Sequence, residues 1–163
     1  MVTDQRIDRK EFGVMVLIGA ALLGVALLGG CAGRTSILPN SDKTLRKSSV
    51  EFAADAAKRA YPADAPRGGE AQAQAAVDHG FMNRIEVVNL SDTNWSDVDV
   101  WVNGKYVVHI PDWPTRRMEQ ITFAMLYDRD GGSFPTNNKA IRVEKIEAFH
   151  DGKLYAIPSK LAD

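Results

Sequence analysis

Short runs of β-forming residues, separated by turn-forming dipeptides, fill this 163-residue chain from about Ala73 onward. Valine, isoleucine and aromatic residues alternate with polar ones in these runs, as is typical of strands that bury one face. The pattern predicts seven strands, at 75–79, 83–90, 97–102, 105–110, 118–126, 140–149 and 153–157. We therefore expect an all-β domain, a small antiparallel β-sandwich of immunoglobulin-like size.

The dipeptide Asn103-Gly104 predicts the best-defined hairpin of this domain. A type I′ turn needs positive φ at both central residues, and asparagine and glycine tolerate that conformation. A two-residue loop sets Val102 opposite Lys105 and Trp101 opposite Tyr106. In this register the rings of Trp101 and Tyr106 share one face of the hairpin.

A second hairpin is predicted at Asp151-Gly152, which has the same turn chemistry. In the strand before it, at 140–149, the apolar alternation shifts phase across Glu144-Lys145. Such a shift predicts a β-bulge, because one extra residue moves the following side chains to the other face.

The segment ahead of the strands is rich in alanine and predicts one short helix over 50–60, capped by Ser49 and stopped by Pro62. A loop follows as far as Gly69. Since the helix carries few large apolar side chains, we expect it to dock loosely on the sheet. If it packs firmly instead, the fold class becomes α+β.

The N-terminal segment differs in character from the rest of the chain. Residues 6–10 carry three basic side chains, and residues 13–30 are uncharged and mostly apolar. The order basic, apolar and then small is that of a secretory signal. The alternative is an uncleaved membrane helix, because about 18 apolar residues stand at the lower limit for crossing a bilayer.

The apolar stretch ends in Leu28-Gly29-Gly30-Cys31, which resembles the lipobox of bacterial lipoproteins. This resemblance covers only the first 31 residues. It implies that a signal peptide spanning 1–30 is removed and that Cys31, the only cysteine, carries diacylglycerol and acyl chains such as palmitate. The lipid would be the protein's membrane partner, and no disulfide would remain possible.

The resemblance also implies a location in the cell envelope, with the protein facing the periplasm or the cell exterior. Ala32 follows the cysteine, and in diderm bacteria a residue other than aspartate there implies the outer membrane rather than the inner one. The chain then divides into a signal peptide, a lipid-anchored tether at 31–49, the helix and loop at 50–69, and the β domain at 70–163.

Charge and motifs argue against most catalytic and nucleic-acid roles. A formal net charge of −1 provides no basic field for nucleic acid. The three histidines, His79, His109 and His150, lack metal-ligand spacing, and no G-x-S-x-G motif is present. We therefore expect no catalytic residue, no metal and no cofactor. A calcium-like start at Asp128 lacks the later ligands, so a plain turn is predicted there.

Four aromatic residues, Trp101, Tyr106, Trp95 and Trp113, form the candidate binding surface if they are exposed, and ordinary core if they are not. The sequence thus favours a non-catalytic envelope lipoprotein that binds a protein or glycan partner or has a structural role. The alternative is a carbohydrate-binding module that uses these aromatics. A hydrolase, which would need two histidines and a carboxylate in one pocket, is a distant third.

Overall fold

The computed structural model describes residues 45–80, 82–138 and 140–161. Within these ranges the chain forms one α-helix, nine strands and a 3₁₀ turn at Phe123–Met125. The elements are α1 (Ser49–Ala57), β1 (Arg67–Glu70), β2 (Ala73–Asp78), β3 (Arg84–Asn89), β4 (Trp95–Val102), β5 (Tyr106–Trp113), β6 (Met118–Thr122), β7 (Ile146–His150), β8 (Lys153–Ala156) and β9 (Ser159–Leu161). All seven predicted strands have a counterpart, and β1 and β9 were not predicted.

The strands form two sheets that share one hydrophobic core, so the domain is an all-β fold like a β-sandwich. The five-stranded sheet has the order β1-β8-β7-β4-β5, and the four-stranded sheet has the order β6-β3-β2-β9. Most neighbours are antiparallel, as predicted. The pairs β1/β8 and β2/β9 are parallel, which corrects the expectation of a purely antiparallel sandwich.

The parallel pairs arise because the chain crosses between the sheets twice, side by side. It leaves the five-stranded sheet after β1 and again after β8, and each time enters the four-stranded sheet. Hydrogen bonds continue through the crossing: the N–H of Ala71 donates to the carbonyl of Ala156 at 2.7 Å, and the N–H of Ala75 to that of Pro158 at 2.8 Å. The two sheets are therefore joined at one corner.

The core between the sheets follows the period-2 pattern of the strands. The strands β2 to β6 turn apolar residues inward, where they are almost completely buried; among them are Ile85, Val87, Val98, Val100, Ile110 and Ile121. Trp113 and Phe123 are the largest of the core side chains that are completely buried. Its apolar character explains how a domain of this size can fold with no cysteine in the described residues.

The helix α1 is better anchored than its sequence indicated. Its N-cap is Ser48 rather than Ser49, because only Ser48 has Glu51 three residues later to complete a capping box. The helix buries Phe52 and Ala56 and ends at Ala57, three residues earlier than predicted.

Further contacts fasten the segment after α1 to the outer face of the five-stranded sheet. Arg59 Nε donates to Asp99 at 2.7 Å, and the hydroxyl of Tyr61 donates to Glu147 at 2.8 Å. These bonds and the buried helical side chains correct the expectation of loose docking. Firm packing of the helix was expected to make the class α+β, but one nine-residue helix beside nine strands leaves the class all-β.

The hairpin at Asn103-Gly104 has the predicted turn but not the predicted register. The φ angles of these residues are 54° and 66°, as a type I′ turn requires. Pairing, however, sets Val102 opposite Tyr106, so Lys105 stays outside the ladder. A shift of one residue moves side chains to the opposite face of a strand.

The register shift changes which residues share a face of β4 and β5. Trp101 pairs with Val107 rather than Tyr106. Trp101 and Val107 face outward, toward the segment that follows α1, whereas Tyr106 joins the core between the sheets. The prediction that Trp101 and Tyr106 lie on one face is therefore wrong.

Residues 140–145 are a loop, so the predicted strand with a bulge at Glu144-Lys145 is wrong in its first half. The side chain of Asn103 makes hydrogen bonds to the backbone of this loop, in place of the bonds that a neighbouring strand would have made. Its Nδ2 donates to the carbonyl of Arg142 at 2.8 Å, and its Oδ1 accepts the N–H groups of Glu144 at 2.8 Å and Lys145 at 3.1 Å. The change in apolar alternation across Glu144-Lys145 therefore marks the end of this loop and the start of β7, not a bulge within a strand.

Two other expectations meet different outcomes. The hairpin at Asp151-Gly152 is confirmed, with φ of 49° and 70° and His150 paired with Lys153. The strand predicted at 118–126 is shorter, because the chain leaves β6 after Thr122 and makes the 3₁₀ turn.

Candidate functional site

The four aromatic residues of the predicted binding surface are all buried. The exposed fractions are 2% for Trp101, 8% for Tyr106, 8% for Trp95 and 0% for Trp113. A sugar ring stacks on an exposed aromatic face, and none of these residues presents one. Of the two alternatives that the sequence left open for these rings, exposed surface or core, the structure has the four rings in the core.

Each of these rings packs against other side chains of the protein. The Trp101 ring meets the edge of Tyr61 at a centroid distance of 5.4 Å, and Tyr106 meets Phe134 at 5.1 Å. Trp95 lies edge-on to Trp113 at 5.5 Å. Aromatic pairs at these distances stabilise a fold without any ligand.

Trp95 also stacks on the imidazole of His150 at a centroid distance of 4.9 Å. Both residues border an open depression at the corner where the chain crosses between the sheets. Glu70, Asp151 and Tyr155 line the same depression. Its carboxylates are exposed, and its aromatic rings pack against one another, so it offers mainly a polar surface.

The three histidines lie in separate surroundings. His109 and His150 lie on opposite faces of the five-stranded sheet, because Asp99 is paired with both His109 and Phe149. His79 follows β2 of the other sheet. Among the residues that the structure describes, no group of three histidine, cysteine, aspartate or glutamate side chains could hold a metal ion.

His109 is the histidine most closely surrounded by charge. Its Nδ1 lies 2.8 Å from Asp99 Oδ1, the oxygen that also accepts the bond from Arg59 Nε. Its Nε2 lies 3.5 Å from the exposed carboxylate of Asp97. The arrangement ties the end of the α1 segment to β4 and β5, and it brings no second histidine into the group.

The calcium-like sequence at Asp128 forms the predicted turn. Its carboxylate accepts the N–H of Gly132 at 2.6 Å and that of Asp130 at 3.1 Å, and lies 3.3 Å from Lys105 Nζ. Although burial raises the pKa of Asp128, the bond from Gly132 and the charge of Lys105 outweigh it, and the pKa falls below its usual value. The carboxylate oxygens of Asp128, which a cation would need as ligands, are thus already bonded to backbone N–H groups and to Lys105.

A cavity of about 250 Å³ lies beside His79, between the turn after β2 and the segment that follows the 3₁₀ turn. We call it the His79 cavity. Its apolar walls are Phe123, Phe134, Pro135 and Ile141. Its polar lining consists of His79, Asn83, Thr136, Asn138 and Arg142. A mostly apolar hollow with a few converging polar groups is the usual form of a small-molecule site.

The imidazole of His79 is held in one orientation at the edge of this cavity. Its Nε2 accepts the N–H of Val143 at 3.2 Å, and its ring meets Phe123 at a centroid distance of 5.3 Å. Partial burial, and then the charge of Arg142, lower the pKa of His79 against the opposing effect of Asp78. Because its pKa lies below the ordinary value of 6.5, the ring is mainly neutral at pH 7. Because Nε2 accepts the bond from Val143, the proton of the neutral ring is on Nδ1.

The chemistry of the lining suits binding more than reaction. Among its described residues are no cysteine, lysine or carboxylate to act as a nucleophile or general acid. The one basic nitrogen, His79 Nε2, is already occupied by Val143. Sequence reasoning missed this cavity because its lining comes from distant segments and because Ile141 and Arg142 were assigned to a strand.

The proposed lipidation site, Cys31, lies outside the described residues. Among the helices that the structure describes, none is long and apolar enough to cross a membrane.

Comparison with known proteins gives no family for this chain. No family model, no curated protein and no solved structure matches it.

Proposed function

We propose that this protein is a non-catalytic envelope lipoprotein whose β domain binds a partner while a lipid on Cys31 anchors it to a membrane. One observation carries the proposal: a basic segment and an apolar segment lead directly to Leu28-Gly29-Gly30-Cys31. The cysteine at that position is also the only one in the chain.

The energetics of acyl chains favour an anchor of this kind. Each buried methylene contributes about 0.8 kcal/mol, so that one chain holds a protein only weakly and two or three hold it stably. Diacylglycerol on the thiol of Cys31 alone supplies two chains. Such an anchor needs no contribution from the β domain, whose surface stays available for binding.

The tether sets how far the domain reaches from the membrane. Leu45 is buried in the core, so the folded part includes residues ahead of residue 50. Thirteen residues, 32–44, separate Leu45 from Cys31. At about 3.3–3.6 Å per residue they span at most ~45 Å when fully extended. A partner of the domain would therefore lie close to the anchoring membrane.

Metabolic labelling with an alkynyl palmitate analogue tests the anchor. We expect the native protein to take up label and to lose the mass of residues 1–30, and Cys31→Ser to abolish both changes. The matched control is Cys31→Ser combined with Ser36→Cys, which restores a thiol away from the lipobox and should stay unlabelled. Label on either variant contradicts the proposal, as does an unlabelled native protein of full mass.

The glycan alternative now depends on the depression beside Trp95, because Trp95 is the one of the four aromatic residues that we find lining this open depression. Titration of the purified protein with soluble envelope glycan fragments, followed by tryptophan fluorescence, tests it. A saturable change that Asp151→Asn weakens would favour a carbohydrate-binding module over a protein-binding one.

A further inference from the structure

We propose that the His79 cavity binds a small organic anion with a flat apolar body, such as an aromatic carboxylate. This inference deepens the binding role proposed above and rests on it. The shape of the cavity, the charge of its lining and the fixed orientation of its imidazole each support it.

The apolar walls fit a flat ring. Phe123 and Phe134 are almost completely buried, and their rings pack at a centroid distance of 4.8 Å with an interplanar angle of 51°. Ile141, by contrast, is 39% exposed and stands at the open side. A planar apolar group entering past Ile141 would contact mainly the exposed side of Ile141 and the half-buried Pro135, above the packed base that the two phenylalanine rings form.

The charge of the lining selects an anion. Arg142 is the one charged residue among the described residues that line the cavity, and the structure gives its exposed guanidinium no carboxylate partner within the described ranges. A guanidinium presents paired N–H donors that match the two oxygens of a carboxylate. The same charge would repel a cationic ligand.

Neutral polar groups add hydrogen-bond donors to the lining that carries this cation. Asn83, Asn138 and Thr136 carry amide and hydroxyl groups, and His79 carries an N–H on Nδ1 because its Nε2 accepts from Val143. No described residue accepts a hydrogen bond from that N–H. Because the His79 ring is held in place before binding, its N–H would cost little ordering entropy when a ligand arrives.

The loop that carries Ile141 and Arg142 is itself held in place. Asn103 in the β4–β5 turn bonds the carbonyl of Arg142 and the N–H groups of the two residues after Val143. The side of the cavity that bears the charge is therefore fixed to the five-stranded sheet rather than free to move as an isolated loop.

Three probes that share one ring and differ in charge test the proposal: benzoate, benzamide and benzylammonium. Full-length protein in detergent, with its histidines labelled with ¹⁵N, is titrated with each probe while NMR follows the His79 imidazole. The His79→Gln variant assigns that signal. We expect saturable shifts with benzoate, affinity at least threefold weaker for benzamide, and no saturable shift with benzylammonium.

Two variants and a control place the binding in this cavity. Arg142→Gln should weaken benzoate binding at least threefold and leave the weak binding of benzamide within twofold. Ile141→Glu removes an apolar contact that both probes use and adds a negative charge, so it should weaken benzoate binding at least threefold and benzamide binding less. Arg129→Gln removes an exposed arginine from the turn at 128–132 and should change neither affinity. A circular dichroism melt confirms that each variant is folded, as expected for exposed side chains.

Several results would overturn the proposal. These are the absence of saturable shifts with benzoate, equal affinity for all three probes, and unchanged benzoate affinity in both cavity variants. The titration does not depend on the state of Cys31, so a negative result here leaves the labelling experiment unaffected. Absence of lipid would likewise leave the titration unaffected.

Discussion

Asn103 and Asp151 occupy the same position in two type I′ turns, which makes them a matched pair for measuring what one side chain contributes. Both are non-glycine residues with positive φ, at 54° and 49°. Replacement by glycine relieves the same backbone strain and adds the same freedom to the unfolded chain. The two variants therefore differ mainly in the side-chain bonds that are lost.

Those bonds are unequal. Asn103 makes three hydrogen bonds to the loop at 140–145, of 2.8, 2.8 and 3.1 Å. At about 0.5–1.5 kcal/mol each, and in the lower half of that range because this site is open to solvent, the three bonds together contribute roughly 1.5–3 kcal/mol. The Asp151 side chain is 83% exposed and makes only a 3.3 Å contact with His150, which solvent screens.

We therefore expect Asn103→Gly to lower the free energy of unfolding by about 1.5–3 kcal/mol more than Asp151→Gly does. Urea unfolding followed by circular dichroism measures this difference, provided that the m-value stays unchanged. Asn103→Gly should also weaken benzoate binding, since it releases the loop that bears Arg142. Equal stability of the two variants would refute the argument that Asn103 holds this loop.

Three further variants test other parts of the structure. Gly68→Ala should lower the free energy of unfolding by about 1–3 kcal/mol, because a Cβ at this position overlaps the Tyr155 ring; thermal melting should show partial rescue when Tyr155→Ala is added. Arg116→Asn should raise the free energy of unfolding by about 1 kcal/mol, because Arg116 has φ of 59°, which asparagine tolerates; a lower melting temperature would contradict this. The lowered pKa of His79 means that the unfolded chain binds a proton first as pH falls. The free energy of unfolding should therefore fall as the pH drops through 6.5, the ordinary histidine value, and stop falling once the pH is below the pKa of His79 in the folded protein. Urea unfolding measured from about pH 8 to about pH 5 should show a smaller decrease for His79→Gln than for the native protein.

The strands and turns could be predicted because their signals are local. Alternation within β4 and β5 identifies a buried face, and Asn103-Gly104 alone determines the turn type. The register could not be predicted in the same way. Whether Lys105 pairs depends on a turn that also bonds the loop at 140–145, about forty residues later, and no local pattern contains that contact.

Nonlocal pairing explains the other misses as well. β1 contains Gly68 and Gly69, which indicate a loop by composition, yet it pairs with β8 because the first glycine leaves room for the Tyr155 ring. The His79 cavity was missed for the same kind of reason. His79 was identified in the sequence as one of three histidines, but the apolar residues and Arg142 that line the cavity with it come together only in the folded domain.

The side-by-side crossing at the corner of the sheets has a mechanical consequence. The strands that begin the domain, β1 and β2, lie parallel to those that end it, β8 and β9. A force that pulls the chain ahead of β1 away from the end of β9 would act along these pairs from opposite ends. It would load their hydrogen bonds together, in shear, instead of opening them one at a time. A domain held at a membrane by its N-terminal side and pulled from its C-terminal side would resist unfolding through this corner.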